Sequence, residues 1–398
     1  MKKIRIAQIG LNKHSHSVEI LESLLRLEDF EVVGICFPEN EKERLPAKVE
    51  KHPELKEMTL EEILNDPTIE AVAVETDEIY LTKYATMALK AGKHVHMEKP
   101  GGTSFVGFEK LVETLRKNEK VFHTGYMYRY NPAVLKTFEA IREGKLGEIC
   151  YAHGSYCHDL RWEICSGVKI RHYRLRNYLS RNCDNYPTHN LGPIARLLNI
   201  NRGNRMLKLV SMGSKSRGLE TYVNEHEEYE FLRGKHFAQS DVVTTMITCA
   251  DGTLITLKLD TTLPRAYSRE FTVSGTKGIF SVPDSVVLTD DMDFNHEVGM
   301  ATYRGNAEQV YEENMPGIWK SITKEQIEAG HGGMDWLVMR AFLEAVRRKI
   351  QTPIDVYDTA TWLAVGVLSE QSIKEGGASV EFPDFTNGKW QNREPVVE

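Results

Sequence analysis

Residues His94–Gly102 read HVHMEKPGG, and this stretch decides how the first third of the chain folds. A short strand-like run stops on the charged pair Glu98–Lys99, then on Pro100 and two glycines that turn the chain. In parallel sheets ligands gather at the carboxyl ends of the strands, so charge held at such an end reads as a binding edge. An exposed ion pair is the plain alternative. The strand in front and the turn residues behind favour a site.

The flanking sequence supplies the rest of such a sheet. Upstream, YLTKYATMALKAGK (80–93) has helical periodicity and stops at Gly92, and IEAVAVET (69–76) reads as a strand. Further back lie TLEEILND (59–66) as a short helix, FEVVGIC (30–36) as a strand, a helix over Ser17 to Leu27, and IRIAQIG (4–10) as the first strand. Downstream, a helix from Phe105 to Asn118 leads into VFHTG (121–125). Strands alternating with helices of this length imply βαβ units. Residues 1–125 are therefore expected to form an α/β, Rossmann-type, doubly wound parallel sheet.

After Tyr126 the pattern changes. A helix near Ala133 to Glu143 precedes the alternating run EICYAHGSYCHDL (148–160), and longer strands follow in MLKLVSMGS, SDVVTTMITCA and TLITLKLDTTL. Asp251–Gly252 marks a hairpin between the last two, and REFTVSGTKGIFSVP (269–283) turns at Gly275 to Gly278 as another. Helical stretches over Met334–Ile350 and Thr359–Lys374 close the chain. Residues 126–398 are expected to be an α+β domain with a large, mainly antiparallel sheet, carrying substrate and oligomer contacts.

At 398 residues with 41% hydrophobic and 27% charged residues, two globular domains are the natural prior. A net charge of -7 and a pI near 6.1 argue against a nucleic-acid surface. No window is apolar enough for a membrane span or signal peptide. The six cysteines form no C-x-x-C pair, so free thiols are expected rather than a zinc site, and no metal is called for. A cytoplasmic protein is expected.

The first strand ends in IGLNKHSHS (9–17). In a dinucleotide fold this turn sets backbone N–H groups and a helix N-terminus against a pyrophosphate. Only Gly10 of the G-x-G-x-x-G spacing is present; Asn12 and Ser15 hold the other two places. Asn tolerates positive φ and Ser is small, while Lys13 and His14 can add charge-assisted bonds to phosphate. At the end of the second strand Phe37 stands where an acid usually takes the ribose hydroxyls, with Glu39 two residues on. With no Arg beside them, NAD is expected rather than NADP. A doubly wound domain with an altered nucleotide site is the alternative reading.

Glu98–Lys99–Pro100 after the fourth long strand resembles the signature of the Gfo/Idh/MocA oxidoreductases. That resemblance implies a Lys reaching toward the nicotinamide ribose and a substrate hydroxyl, with Glu98 and Thr76 among the cofactor contacts. Dehydrogenases of this family carry an Asp four residues before a catalytic His; here position 185 is Asn and His189 follows in NYPTH. That departure resembles glycoside hydrolase family 109, the NAD-dependent α-N-acetylgalactosaminidases. So do HGSYCHDLR (153–161), YRLRNYLSRNCDNYPTHNLGP (173–193), NINRGNR (199–205), PRAYSR (264–269) and GHGGMD (330–335). The resemblance implies that Tyr156, Arg174, Tyr186, His189 and Tyr267, with Pro187 and Thr188 between them, contact a sugar. One feature sets the chain apart, since that branch tends to carry an apolar residue where Lys99 stands.

These residue types suit the task on their own terms. Tyr, Arg and His offer donors and acceptors on flat bodies that fit a polyhydroxylated ring. His331, among glycines, is placed to close over it. Each residue also has a plainer reading: a core Tyr with a satisfied hydroxyl, Arg174 as surface charge, NRGNR as a helix exit, and Thr188 and Asn190 as helix caps. Asp335 would complement a helix dipole. Three functions are compatible with this set. One is a glycosidase working by transient C3 oxidation with retained NAD, with Lys99, Tyr186 and His189 as catalytic residues. The second is an ordinary NAD-dependent sugar or cyclitol dehydrogenase, and the third a non-catalytic binding subunit. A homo-oligomer is expected, formed through an open sheet face.

Overall fold

The computed structural model describes residues 2–11, 15–39, 55–169, 172–311, 317–320, 322–327 and 331–395. The first sheet holds β1 (Ile4–Ile9), β2 (Phe30–Cys36), β3 (Ala71–Val74), β4 (His94–Met97) and β5 (Phe122–Thr124). All its pairings are parallel, in the order β2-β1-β3-β4-β5. Every residue of β3, AVAV, is buried, as a strand covered on both faces requires. The helices α1 (Ser17–Arg26), α2 (Leu60–Asn65), α3 (Leu81–Lys90) and α4 (Phe105–Arg116) provide the crossovers. The chain leaves β1 toward β2 on one side and returns to β3 on the other. This reversal opens a crevice at the strands' carboxyl ends.

Helix α5 (Pro132–Arg142) leads into the second sheet through β6 (Ile149–Cys157). Then come α6 (Arg161–Cys165), α7 (His172–Ser180), α8 (Pro187–Leu197), β7 (Met206–Gly213), α9 (Gly218–Glu225), β8 (Val242–Cys249), β9 (Leu254–Asp260), β10 (Thr272–Gly275), β11 (Gly278–Ser281) and β12 (Val286–Thr289). Three short helices, α10 (Asn306–Tyr311), α11 (Gly317–Lys320) and α12 (Lys324–Ile327), precede α13 (Met334–Arg348), α14 (Val356–Lys374) and β13 (Val380–Glu381). The eight strands run β12-β11-β10-β6-β9-β8-β7-β13, antiparallel except for the β6–β9 pair. Both anticipated hairpins form, β8–β9 and β10–β11. In β8 burial alternates, so one face meets the core and the other is open. Met212, Met246 and Leu254 are exposed on these strands.

Helix α13 buries Trp336, Met339 and Phe342 beneath the first sheet, with Ile6, Ala71 and Ala73. Helix α14 is buried on most of its circumference and packs against α4, α8 and β7, so it ties the two sheets together. Its N-terminus is fixed by an Asp355–Asp358 capping box. That box also binds Arg202 of the NRGNR segment: Arg202 reaches Asp358 at 2.7 and 2.8 Å and Asp355 at 3.3 Å, all buried. The segment is thus an anchor between the α8 exit and α14, far more than a turn.

Helices α6, α7 and α9 and strand β12 carry no clear periodicity and were not anticipated. The start of α8 also differs from expectation. Pro187 takes the first helical position and Tyr186 is the cap residue, without a side-chain cap bond. Proline fits there because that N–H has no helical partner to lose. Thr188 and Asn190 lie inside the helix, and Asp184 accepts from the Tyr186 N–H (3.4 Å) and from Asn190 Nδ2 (2.8 Å) instead.

Candidate functional site

Two glycines bring α8 against its neighbours. A Cβ on Gly154 of β6 would lie 2.2 Å from the Asn190 carbonyl oxygen, and one on Gly192 would lie 2.5 Å from the Tyr126 ring. This close approach sets the aromatic groups of β6 and α8 face to face. Tyr156 stacks on Tyr186 with ring centroids 4.8 Å apart, and His189 lies 4.7 Å from Tyr186 and 5.6 Å from Tyr156. Arg174 of α7 covers the Tyr186 ring at 4.8 Å, donates to Tyr156 Oη at 3.3 Å and pairs with Glu163 at 2.5 Å. It is buried, so the surface-charge reading fails. Tyr267 is 53% exposed at the rim, accepting from Arg269 Nε at 2.6 Å and edge-on to His158.

The first sheet presents its own groups to the same space. Lys99, only 4% exposed, donates to Glu98 Oε1 at 2.8 Å and lies 2.9 Å from His16 Nδ1. Burial alone would raise the Glu98 carboxyl, but Lys99 and His16 outweigh it and hold the group well below the usual carboxylate range. A narrow cleft is lined by His16, Thr76, Glu78, Lys99, Tyr173 and Tyr186, among others. Lys99 and Tyr186 therefore face one space across the two sheets, with His189 behind Tyr186. Burial, then the positive charges of Arg269, Lys99, His16 and His331, push His189 well below the ordinary histidine value, which keeps its imidazole neutral.

Residues outside the anticipated set hold the cleft together. Arg176 bonds Asp77 (3.1 and 2.9 Å) and Glu78 (3.3 Å), and Asn177 bonds Glu78 at 2.8 Å, so α7 is clamped to the end of β3. Tyr173, Glu163, Arg269 and His16 join them: Tyr173, Arg176 and Asn177 fall in the Arg-rich YRLRN run, Arg269 in PRAYSR and His16 in the first turn, while no sequence signal singled out Glu163. Asn185 cannot carry a proton: its Nδ2 donates to Gln239 and its Oδ1 accepts from Cys183 Sγ. His331 pairs with Asp335 at 2.7 Å, and its ring lies 4.7 Å from that of His16.

Gly10 (φ 93°) ends β1 where a Cβ would be 2.7 Å from Thr76 Cγ2, so only glycine lets this turn pass the end of β3. That bare backbone at the crevice fits a dinucleotide. Phe37 packs partly buried against Leu11, Leu21 and Ile35 and is not among the residues that line the cleft. Glu39 accepts from Tyr84 Oη (2.5 Å) and Lys83 (2.9 Å). Asn12, Lys13 and His14 lie outside the described residues. No described helix is long and apolar enough to cross a membrane. All six cysteines are free thiols.

Glu75, His96 and Glu98 place one potential ligand atom each within 4.8 Å, fully buried. Their chemistry suits proton sharing better than a cation. Burial and the neighbouring Glu98 raise the Glu75 carboxyl well above its ordinary value, and the Lys99 ammonium already balances the charge of Glu98 through Oε1. His96 is pushed down to about 4, chiefly by burial. The folded chain therefore refuses a proton that the unfolded chain accepts near pH 6.5, so this contribution to stability is lost as pH falls from 6.5 toward 4. Relative to the parent, His96→Leu is expected to gain about 2 kcal/mol between about pH 7.5 and about pH 5. Urea unfolding at the two pH values measures it; an unchanged difference refutes the assignment.

Known proteins align with this chain throughout. Residues 4–126 match the oxidoreductase family, NAD-binding Rossmann fold, and residues 130–392 match the glycosyl hydrolase 109 C-terminal domain. The alpha-N-acetylgalactosaminidase of Tannerella forsythia is 32% identical over 99% of this chain and 88% of its own. That of Shewanella oneidensis is 28% identical over 100% and 88%. Among solved structures, scyllo-inositol dehydrogenase from Lactobacillus casei with bound NAD(H) and scyllo-inositol superposes with a TM-score of 0.64 at 15% identity. It covers 96% of this chain and 99% of that one. At that identity the likeness speaks for the fold.

Proposed function

From the premise that this chain is an enzyme of the glycosyl hydrolase 109 family, carried on the NAD-binding oxidoreductase fold and acting on sugars, we propose that it cleaves a glycoside through transient oxidation at C3, an N-acetylhexosaminide being the first substrate class to test. The observation that carries this reading is the single cleft shared by Lys99 and Tyr186, with a neutral His189 against Tyr186 and an inert amide at Asn185. The non-catalytic reading is set aside.

Gly10, Thr76 and Glu98 edge the crevice that would hold a nicotinamide dinucleotide, and such a group supplies a reversible acceptor of hydride. Glu39 at the end of β2, held below the usual carboxylate range by Tyr84 and Lys83, repels a 2′-phosphate and favours NAD over NADP. Lys99 moves the proton of the C3 hydroxyl. With C3 at the ketone level, the C2–H becomes acidic enough for an ordinary base, and His189 with Tyr186 takes it. The anomeric substituent then leaves, water adds across C1 and C2, and C3 returns to the alcohol. No net redox change occurs, and no pair of carboxylates is needed. Tyr156, Arg174 and Tyr267 grip the sugar, while Pro187 and Thr188 hold the α8 start in place.

An aryl N-acetylhexosaminide turned over in D2O is expected to release sugar labelled at C2, with no accumulation of reduced nicotinamide. Sugar released with its original C2 hydrogen sinks the reading. The ion-paired Lys99 favours a second reading, a sugar or cyclitol dehydrogenase, for which stoichiometric absorbance at 340 nm is the signature.

A further inference from the structure

The segment that carries Tyr267 brings a second charged group to the sugar site. Its backbone is fastened to β6: the Cys157 N–H donates to the Ser268 carbonyl at 3.1 Å, and the Ser155 N–H to that of Arg269 at 2.6 Å. The next residue, Glu270, takes a left-handed backbone (φ 47°), which a non-glycine residue keeps where its surroundings fix it. Here they do. The Glu270 carboxylate accepts from Lys258 at 2.5 Å and Arg265 at 3.0 Å and lies 3.3 Å from His153 Nε2. His153 and Tyr156 leave β6 on opposite faces, so Glu270 is anchored on the face away from the site. Arg269 is turned to the other face. It is 9% exposed, its guanidinium lies over the Tyr156 ring at 4.5 Å and the Tyr267 ring at 5.0 Å, and its Nε donates to Tyr267 Oη at 2.6 Å. Arg174 approaches the same Tyr156 ring at 5.8 Å. After burial, Arg269 is the foremost charge that keeps His189 neutral, so its field reaches the reacting groups.

Sugar hydroxyls are satisfied by the Tyr and His groups already gathered there, and a neutral ring does not call for two guanidinium groups over one phenol. A guanidinium held flat against aromatic rings and fixed at Nε is pre-organised for planar, bidentate recognition of an oxyanion. We propose that Arg269 makes this site selective for glycosides that carry a carboxylate, on the sugar ring or on the leaving group. The inference rests on the function proposed above for the place of the sugar at Tyr156 and Tyr267, and adds to it the charge class of the substrate. Arg269 is then a specificity residue, and Glu270, through Lys258, Arg265 and His153, is the residue that positions it.

The test measures binding to the NAD-loaded protein by titration calorimetry, with two matched pairs of ligands. One pair is galacturonate against galactose; the other is a 4-carboxyphenyl against a phenyl N-acetyl-α-hexosaminide. In at least one pair the parent is expected to bind the carboxylate member about 10- to 100-fold more tightly, the scale of hydrogen bonds to a charged group. The pair that shows the margin tells whether the anion belongs to the ring or to the leaving group. Arg269→Gln is expected to cut the margin to below about threefold, and Arg269→Lys to leave an intermediate one, because the charge stays while the fork is lost. Raising the salt concentration should also narrow the parental margin. A merely structural Arg269 would weaken both members of a pair alike. Equal affinities within both pairs for the parent, no binding of either carboxylate ligand, or a full margin in Arg269→Gln overturns the proposal. Where the Gln variant does not fold, the Lys variant decides by the same margin. Binding needs no turnover, whereas absence of C2 labelling sinks the functional reading, so the two failures are told apart.

Discussion

Replacing Lys99 by methionine is expected to lower kcat by about three orders of magnitude while KM moves little, the scale of losing a positioned proton-transfer group. Lys99 lines the cleft together with Tyr186, and its ammonium is held by Glu98 and lies against His16. Methionine preserves the length and apolar stem of the side chain. The substitution also strands Glu98, whose carboxylate is buried and held ionised by Lys99, so some stability is lost with the activity. The companion Lys99→Met/Glu98→Gln variant relieves that unpaired charge. Recovered stability without recovered turnover assigns Lys99 to the chemistry. Recovered turnover in the double variant, or parental kcat in the single one, removes Lys99 from the mechanism.

The largest effect on stability is expected at Arg202. Its guanidinium is buried between Asp355 and Asp358 at the start of α14, the helix that spans both sheets. Truncating one member of such a group leaves carboxylates in a dry interior, and Arg202→Met is expected to cost about 3–5 kcal/mol in unfolding free energy. Adding Asp358→Asn should return part of that cost, because the stranded charge is then removed. Arg393, which also bonds Asp355, moderates the loss on that side. A urea-unfolding difference below about 1 kcal/mol for Arg202→Met would place the anchor elsewhere. Any effect on catalysis should follow the loss of folded protein, since Arg202 stands outside the cleft-lining residues.

The legible parts of this chain were those whose cause is local. Buried strands of the AVAV type, helices closed by Gly92, and the Asp251–Gly252 hairpin follow from periodicity and turn chemistry within a few residues, and both sheets form where those patterns lie. Glu98–Lys99 was visible as charge at a strand's end, and YPTH as a pair of reactive groups flanking a proline. Helix α7 was hidden because its pattern is mixed: Tyr173, Arg174 and Asn177 are buried by contacts from other elements.

What sequence alone determined is the order of elements, the α/β class of the first sheet, and the residue types available for proton transfer and sugar contact. Which of those residues meet was decided by tertiary structure. Gly154 and Gly192 let α8 close onto β6 and Tyr126, Arg176 clamps α7 to the end of β3, and α14 binds the two sheets. His16 and Lys99, 83 positions apart, touch only because β1 and β4, with β3 between them, run parallel and end at the same edge of the sheet. Spacing along a chain fixes which face of an element a side chain leaves from. The distance between groups on different elements is set by packing, and packing depends on all of them at once.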